Sequence, residues 1–220
     1  SVVDGLFVSN FVGKTAFAAI NLIMPFLMGL SALGFMIGTG GSAIVAKTLG
    51  EGKKERANEY FSMLVCVTAI GGALISIAGF ILIRPVSELL GATGILADNC
   101  VLYGRILFFS LTPFMLQNVF QSFLVTAERP QLGLAVTIAA GVANMVLDFV
   151  FIAVFHWGIV GAAAATAASQ LIGGLIPLVY FIKPNTSRLQ LVKTKCDTHI
   201  LGKTCMNGSS ELMTNISMSL

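Results

Sequence analysis

Long apolar runs are the feature of this sequence that most restricts its fold. Stretches such as 58–83 and 159–182 contain almost no charged side chains. A helix needs roughly 20 consecutive apolar residues to cross a bilayer core of about 30 Å, whereas barrel strands alternate apolar and polar residues over about 10 positions. The runs here do not alternate, so they predict membrane-spanning helices.

Composition excludes several other classes of protein. The chain is 56% hydrophobic and only 10% charged, against roughly 25% charged residues in a soluble domain. No basic stripe with interleaved aromatic residues indicates a nucleic-acid partner. The two histidines, His156 and His199, fall at a turn and in a polar tail, and neither Gly-x-Ser-x-Gly nor His-Glu-x-x-His occurs. We therefore expect a membrane protein that is not an enzyme.

The hydrophobic pattern divides the chain into six membrane segments and a polar tail. We expect an all-α membrane protein, a bundle of six transmembrane helices. The predicted segments lie at 1–12, 16–47, 58–83, 102–126, 131–155 and 159–182. In the second segment Pro25 and several glycines allow bends, because neighbouring helices can satisfy the backbone groups that a bend leaves free.

Three parts follow from this division. Residues 1–182 form an N-terminal six-helix lobe whose first helix is truncated. Residues 183–208 are polar and basic and form a linker, and 209–220 begin a seventh helix. The chain opens without Met inside an apolar stretch and stops at the entry to another, so we expect both ends to be cut.

Basic residues predict the orientation in the membrane. They concentrate in the connections at 47–56 and 129 and in the tail after 182, whereas the opposite side holds only Lys14, Arg84 and Arg105. Cytoplasmic loops carry an excess of Lys and Arg. We therefore expect a multi-pass protein of a cell (inner) membrane, of prokaryotic type, with the basic loops in the cytoplasm.

Two carboxylates lie deep within the predicted segments. An ionisable group at the centre of a membrane helix costs roughly 3 kcal/mol on insertion scales and indicates a functional site. Asp4 lies nine residues before Gly13, Asp148 lies nine residues before Trp157, and Thr166 lies eight residues past the following turn. At about 1.5 Å per residue, all three fall about 12 to 14 Å below the outer interface.

Amides at similar depth complete a candidate pocket. Asn144 lies one turn from Asp148 on the same helix face, and the fourth segment brings Gln117, Asn118 and Gln121 to a similar depth. Carboxylate, amide and hydroxyl oxygens suit Na⁺, and a carboxylate pair suits a shared proton. The alternative is that the neutral groups join helices by hydrogen bonds. It applies equally with function to Gln121 and Gln170, and most readily to Thr166 taken alone.

Several stretches resemble one family of transporters, the multidrug and toxic compound extrusion (MATE) family. The first segment and its exit are similar to that family's pattern of Asp, an apolar triplet and a closing Gly. The most specific likeness is the Asn-x-x-x-Asp stretch followed by Gly-x-x-Gly-Ala-Ala and Ala-Thr. The matching stretches are Val3–Gly13, Ala46–Arg56, Asn144–Asp148, Gly158–Ala163 and Ala165–Thr166.

The resemblance implies a twelve-helix transporter of two lobes, of which this chain holds the first. Family members export drugs and amphipathic organic cations in exchange for Na⁺ or H⁺, with no further cofactor. Carried over by motif, the cation site is Asp4, Asn144, Asp148 and Thr166, which would also be the ligands of a Na⁺ ion. The partners implied are drug-like cations, the lipid bilayer and the C-terminal lobe that this chain lacks.

One departure and two alternatives accompany this prediction. The family's usual Pro after the fifth-helix Asp is replaced by Phe149, which alters the expected bend. A lipid-linked saccharide flippase of the same superfamily is the first alternative, and it would need basic residues in the central cavity. A non-transporting membrane scaffold or receptor is the second, and ligand binding without flux would identify it.

Overall fold

The computed structural model describes residues 8–183 and 187–219, and this part of the chain is entirely helical apart from short connections. Helix α1 is described over residues 8–11, and a π-helical segment, Phe149–Val154, continues the fifth helix. The other helices are α2 (Lys14–Gly50), α3 (Lys54–Leu89), α4 (Ile95–Thr126), α5 (Pro130–Asp148), α6 (Gly158–Ile182) and α7 (Thr198–Ser219). The all-α prediction is confirmed.

Five of the described helices are long and apolar enough to cross a membrane. They are α2, α3, α4, α6 and the continuous Pro130–Val154 formed by α5 and the π-helical segment. The first predicted segment, 1–12, is described only from residue 8 onward. Pro25, which we expected to allow a bend, lies inside α2, which is continuous from Lys14 to Gly50.

Helices α2 and α4 form the centre of the bundle. Helix α2 packs against α3, α4 and α7, while α4 packs against α2, α3 and α6, and α5 packs mainly on α6. Glycines let the two central helices approach closely: a Cβ added to Gly34 would lie 2.8 Å from the carbonyl oxygen of Met115. Close approach through small residues is the usual way in which helices associate in a bilayer.

The ends of α3 and α4 extend beyond the segments predicted for them. The predicted segments end at 83 and begin again at 102, but α3 continues to Leu89 and α4 begins at Ile95. Arg84 supports this extension, because its guanidinium lies 3.4 Å from Glu88 and 3.9 Å from Asp98. The polar residues that indicated a connection therefore lie on helix ends and pair with one another.

The segment after α6 is held against the start of α3. The amide N–H of Gln190 donates to Asn58 Oδ1 at 3.1 Å, and that of Val192 donates to Ser62 Oγ at 2.8 Å. Leu189 is fully buried beside them. The residues 187–197, which we call the strap, thus cover one end of the bundle before α7 begins.

Helix α7 begins within the stretch that we expected to be linker. Asp197 caps it by accepting hydrogen bonds from the amides of His199 and Ile200, at 3.0 and 3.2 Å. The polar residues from Thr198 onward are therefore helical, and the helix starts before the predicted residue 209. Between α6 and α7 the described connection is thus the strap.

Candidate functional site

Helix α5 buries a single stripe of residues. The buried members are Val136, Ala140, Asn144 and Asp148, each four residues after the one before. Residues four apart lie on one face of a helix, so the two polar side chains continue an apolar contact surface. Since α5 packs mainly on α6, this stripe is the α5–α6 seam.

The register of α5 and α6 brings Thr166 to the level of the polar pair. A Cβ added to Gly161 would lie 3.0 Å from the carbonyl oxygen of Phe151, so these two residues are level. The two helices are antiparallel, so we count from this contact away from the connection between them. Asp148 is then level with residue 164, and Asn144 is level with residue 168. Thr166 therefore lies at a height between the two.

The three polar side chains of this seam are buried away from water. Asp148 is 0% exposed, and Asn144 and Thr166 are 9% and 7% exposed. Asn144 Nδ2 and Thr166 Oγ1 have no hydrogen-bond partner among the described residues. A buried polar atom without a partner costs about 1–3 kcal/mol, so both groups are suited to interact with something besides the described helices.

The π-helical segment begins directly after Asp148, at the position where the family pattern has Pro. Phe149 is its first residue, and the wider turn lets the amide of Phe155 donate to the carbonyl of Val150 at 2.9 Å. Such segments often occur at functional sites. The helix that carries Asp148 thus changes its winding next to the carboxylate without a proline.

The amides of α4 point toward different neighbours. Gln117 lies against Gly173 of α6, and the exposed Gln121 donates to Thr137 Oγ1 of α5. Asn118 is 6% exposed, and its backbone carbonyl faces Gly38 of α2. No contact recorded for these three residues joins them to Asn144, Asp148 or Thr166. Asp4 lies outside the described residues, so its place in the pocket stays a prediction.

A second polar contact joins α4 and α6, and sequence reasoning identified only one of its two members, Gln170. The hydroxyl of Ser110 donates to Gln170 Oε1 at 2.6 Å, and Ser110 is fully buried. Gln170 also borders a small pocket whose other lining residues are Met24, Leu27, Met28, Leu107, Leu111 and Phe114. A lone serine in an apolar run gives no signal, because such serines usually bond to their own helix.

A bundle of apolar helices that buries a carboxylate, an amide and a hydroxyl in one helix seam defines a multi-pass membrane protein with a polar site inside the membrane. The family model MatE matches residues 1–150, and the chain belongs to that family. The resemblance noted from the sequence is therefore confirmed, as is the multi-pass membrane location.

Curated relatives carry the name multidrug export protein MepA. The one from Staphylococcus saprophyticus is 26% identical over 187 residues, which cover 83% of this chain and 42% of the relative. The one from Staphylococcus haemolyticus is 27% identical over 190 residues, covering 84% and 42%. This chain thus spans less than half the length of these relatives. Their names are those of transporters, in agreement with the prediction that the chain is not an enzyme.

Solved structures of transporters share the fold. The chain superposes on the inward-facing conformation of a multidrug resistance MATE family transporter of the MOP superfamily with a TM-score of 0.92 at 25% identity. The match covers 99% of this chain and 50% of that one. An outward-facing structure of the same description gives a TM-score of 0.90, covering 99% and 49%. The lobe therefore resembles both conformations almost equally.

Proposed function

We propose that the protein is an antiporter that exports drugs and other amphipathic organic cations in exchange for Na⁺ or H⁺. In this proposal the chain supplies the first lobe of a twelve-helix transporter, and the second lobe completes it. Membership in the MatE family and the relatives named multidrug export proteins support the proposal. The observation that carries it is the complete burial of Asp148 in the α5–α6 seam.

Asp148 is the principal coupling carboxylate in this proposal. A small cation that binds there neutralises a charge that a membrane interior tolerates poorly. Thr166 supplies a neutral oxygen. Asn144 supplies another when its side-chain amide is flipped so that the oxygen faces the ion, and the flipped amide occupies nearly the same volume. Asp4 is the proposed second carboxylate. Protons would use the same two acids, so the site accommodates either coupling ion.

Cation binding drives transport by favouring one orientation of the lobes. An ion shifts a conformational equilibrium only by its different affinity for the two states. The similar TM-scores against inward-facing and outward-facing structures, 0.92 and 0.90, favour a lobe that moves largely as one body. Alternating access by rocking of two bodies about a central site then requires the second lobe.

The substrate surface is proposed to lie beside Gln170. Met24, Met28 and Phe114 border the same pocket as this amide. Methionine side chains are flexible and polarisable, so they repack around ligands of different shape. Such a lining suits flat, amphipathic cations better than strongly charged phosphate compounds. No Lys or Arg is among the buried residues of the described chain, which disfavours a lipid-linked saccharide flippase.

The proposed orientation places the strap and the α4–α5 turn in the cytoplasm of a prokaryotic cell. These two connections lie on one side of the bundle, since Arg188 Nε is 3.1 Å from Glu128 Oε2. The α2–α3 connection shares that side and carries Lys53, which donates to Glu51 at 2.7 Å and lowers the pKa of that carboxyl. The excess of basic residues on this side supports the assignment.

The test is ethidium flux in liposomes that contain the full-length protein, under an imposed Na⁺ or pH gradient. We expect gradient-driven flux in the wild type, loss of coupling in Asp148→Asn, and normal flux in Asp98→Asn, whose carboxylate is exposed and pairs with Arg84. The gradient that drives flux identifies the ion. A folded protein without flux would refute drug export, and coupled flux in Asp148→Asn would refute the proposed site.

A further inference from the structure

Arg105 is a charged residue on an exposed face of a membrane helix. It lies on α4, seven residues beyond Asp98, which corresponds to about 10 Å of helix rise. Asp98 pairs with Arg84 at the end of the bundle, whereas Arg105 forms no ion pair with any described residue. Because a guanidinium remains charged at all relevant pH values, a group at this depth needs an anionic partner.

The guanidinium of Arg105 lies over helix α3. Its guanidinium carbon is 5.2 Å from the ring centroid of Phe80. This cation–π contact holds the charge beside α3.

An apolar groove runs beside this contact. It lies between α3 and α4, has a volume of about 380 Å³, and is lined by Ser76, Ile77, Phe80, Ile81, Phe108 and Phe109. Phe109 is 80% exposed and Ile81 is 67% exposed. The floor is the ring of Phe108, which lies against the backbone of Gly79 and is fully buried. A Cβ atom at Gly79 would collide with this ring.

We propose that Arg105 and this groove form a binding site for a phospholipid, with the guanidinium on the lipid phosphate and an acyl chain along the groove. The two halves of the site match the two halves of that ligand. Arginine binds phosphate through two parallel hydrogen bonds, and basic residues between membrane helices are a recurrent means of headgroup recognition. The aromatic and branched lining supplies the surface for the chain. The lipid belongs to the leaflet nearer the α3–α4 connection.

Native mass spectrometry of the full-length protein in detergent tests the proposal. Phosphatidylglycerol is compared with diacylglycerol that carries the same acyl chains. We expect the wild type to retain phosphatidylglycerol and Arg105→Gln to retain it about tenfold less, as loss of a charged hydrogen bond predicts. Arg105→Lys should be intermediate, because it keeps the charge without the two-pronged geometry. Arg84→Gln is the matched control, since Arg84 already has carboxylate partners.

The groove is tested separately. Ile77→Trp fills the groove and leaves Arg105 in place, and it should reduce the retention of phosphatidylglycerol. This variant also tests the proposal if Arg105→Gln fails to fold. Glycerol phosphate, the same anion without chains, should compete only weakly.

Equal retention by wild type and Arg105→Gln overturns the proposal, as does an equal loss in Arg84→Gln. Full competition by glycerol phosphate overturns the role of the groove. Lower thermal stability of lipid-free Arg105→Gln with unchanged retention would show instead that Arg105 stabilises the bundle through its contact with Phe80. None of these outcomes depends on drug flux.

Discussion

Gly208 of α7 lies directly against the carbonyl group of Met36 of α2. The contact is reciprocal, because Gly40 of α2 lies in the same way against the carbonyl group of Thr204 on α7. Neither contact leaves space for a Cβ atom, and the atoms met are backbone atoms that cannot rotate away. The last described helix is therefore joined to the centre of the bundle by two glycines rather than by large apolar side chains.

Gly208→Ala is expected to destabilise the protein. Forcing a methyl group into a closely packed interface costs about 1–3 kcal/mol, which exceeds the gain of up to about 1 kcal/mol from replacing glycine in a helix. Thermal unfolding in detergent measures the change as a lower Tm. Gly202→Ala on the same helix is the control, because nothing lies within 4 Å of its added Cβ. We expect its Tm to stay equal or rise, and a Tm for Gly208→Ala at or above the wild-type value would contradict the packing.

The early start of α7 shows where hydropathy is insufficient. Residues 198–208 look like a linker because they contain no long apolar run, yet Ile200, Thr204 and Gly208 are buried at a spacing of four. Only one of these three is a large apolar residue, since the contact with α2 requires small ones. The spacing and the Asp197 cap were visible in the sequence. Hydropathy alone does not detect a helix that buries backbone instead of side chains.

Ser62→Ala combined with Asn58→Ala is expected to loosen the strap. Each substitution removes an acceptor for a strap amide, and a hydrogen bond contributes about 1 kcal/mol net, or about fivefold in the opening equilibrium. Lys193 and Lys195 are exposed within the strap, so trypsin should cleave there faster by at least about fivefold. Ser42→Ala is the control, because its hydroxyl donates to Thr39 in its own helix. Unchanged cleavage in the double variant would show that other contacts, such as burial of Leu189 and the Arg188–Glu128 pair, hold the strap.

The candidate site could be predicted in part, for a geometrical reason. Asn144 and Asp148 share a face by their spacing, and counting from the turn at 156–158 brings Thr166 to the same level. These inferences use only helix periodicity and a short connection. Gln117 and Gln121 illustrate the limit: depth along α4 was predicted, but rotation about its axis depends on packing with α2, α5 and α6. One faces α6, and the other bonds to α5.

Thr166→Val is expected to separate stability from transport. The hydroxyl is buried without a hydrogen-bond partner among the described residues, so replacing it by a methyl group should leave the Tm unchanged or raise it. If the hydroxyl binds the coupling cation, flux should fall about tenfold, as loss of an interaction with a charged group predicts. Thr68→Val is the control, because that buried hydroxyl already donates to the Leu64 carbonyl. A lower Tm or normal flux in Thr166→Val would assign Thr166 to packing alone.

Two adjacent glycines of α6 should differ in their tolerance of alanine. A Cβ at Gly174 would collide with the backbone of Pro113 on α4, whereas a Cβ at Gly173 would meet only the end of the Gln117 side chain. The backbone of α4 is fixed by its own hydrogen bonds, so Gly174→Ala should cost about 1–3 kcal/mol. Gly173→Ala should cost less, because a flexible side chain can turn away.

The two variants are compared by thermal unfolding, with Gly141→Ala as a control, since nothing lies within 4 Å of an added Cβ there. The expected order of Tm is Gly141→Ala, Gly173→Ala and then Gly174→Ala, from highest to lowest. Adding Gln117→Ala should restore most of the loss in Gly173→Ala, because it removes the atoms that the new methyl group meets. It should restore none of the loss in Gly174→Ala. Rescue of both, or of neither, would mean that α4 and α6 are not packed in the register described.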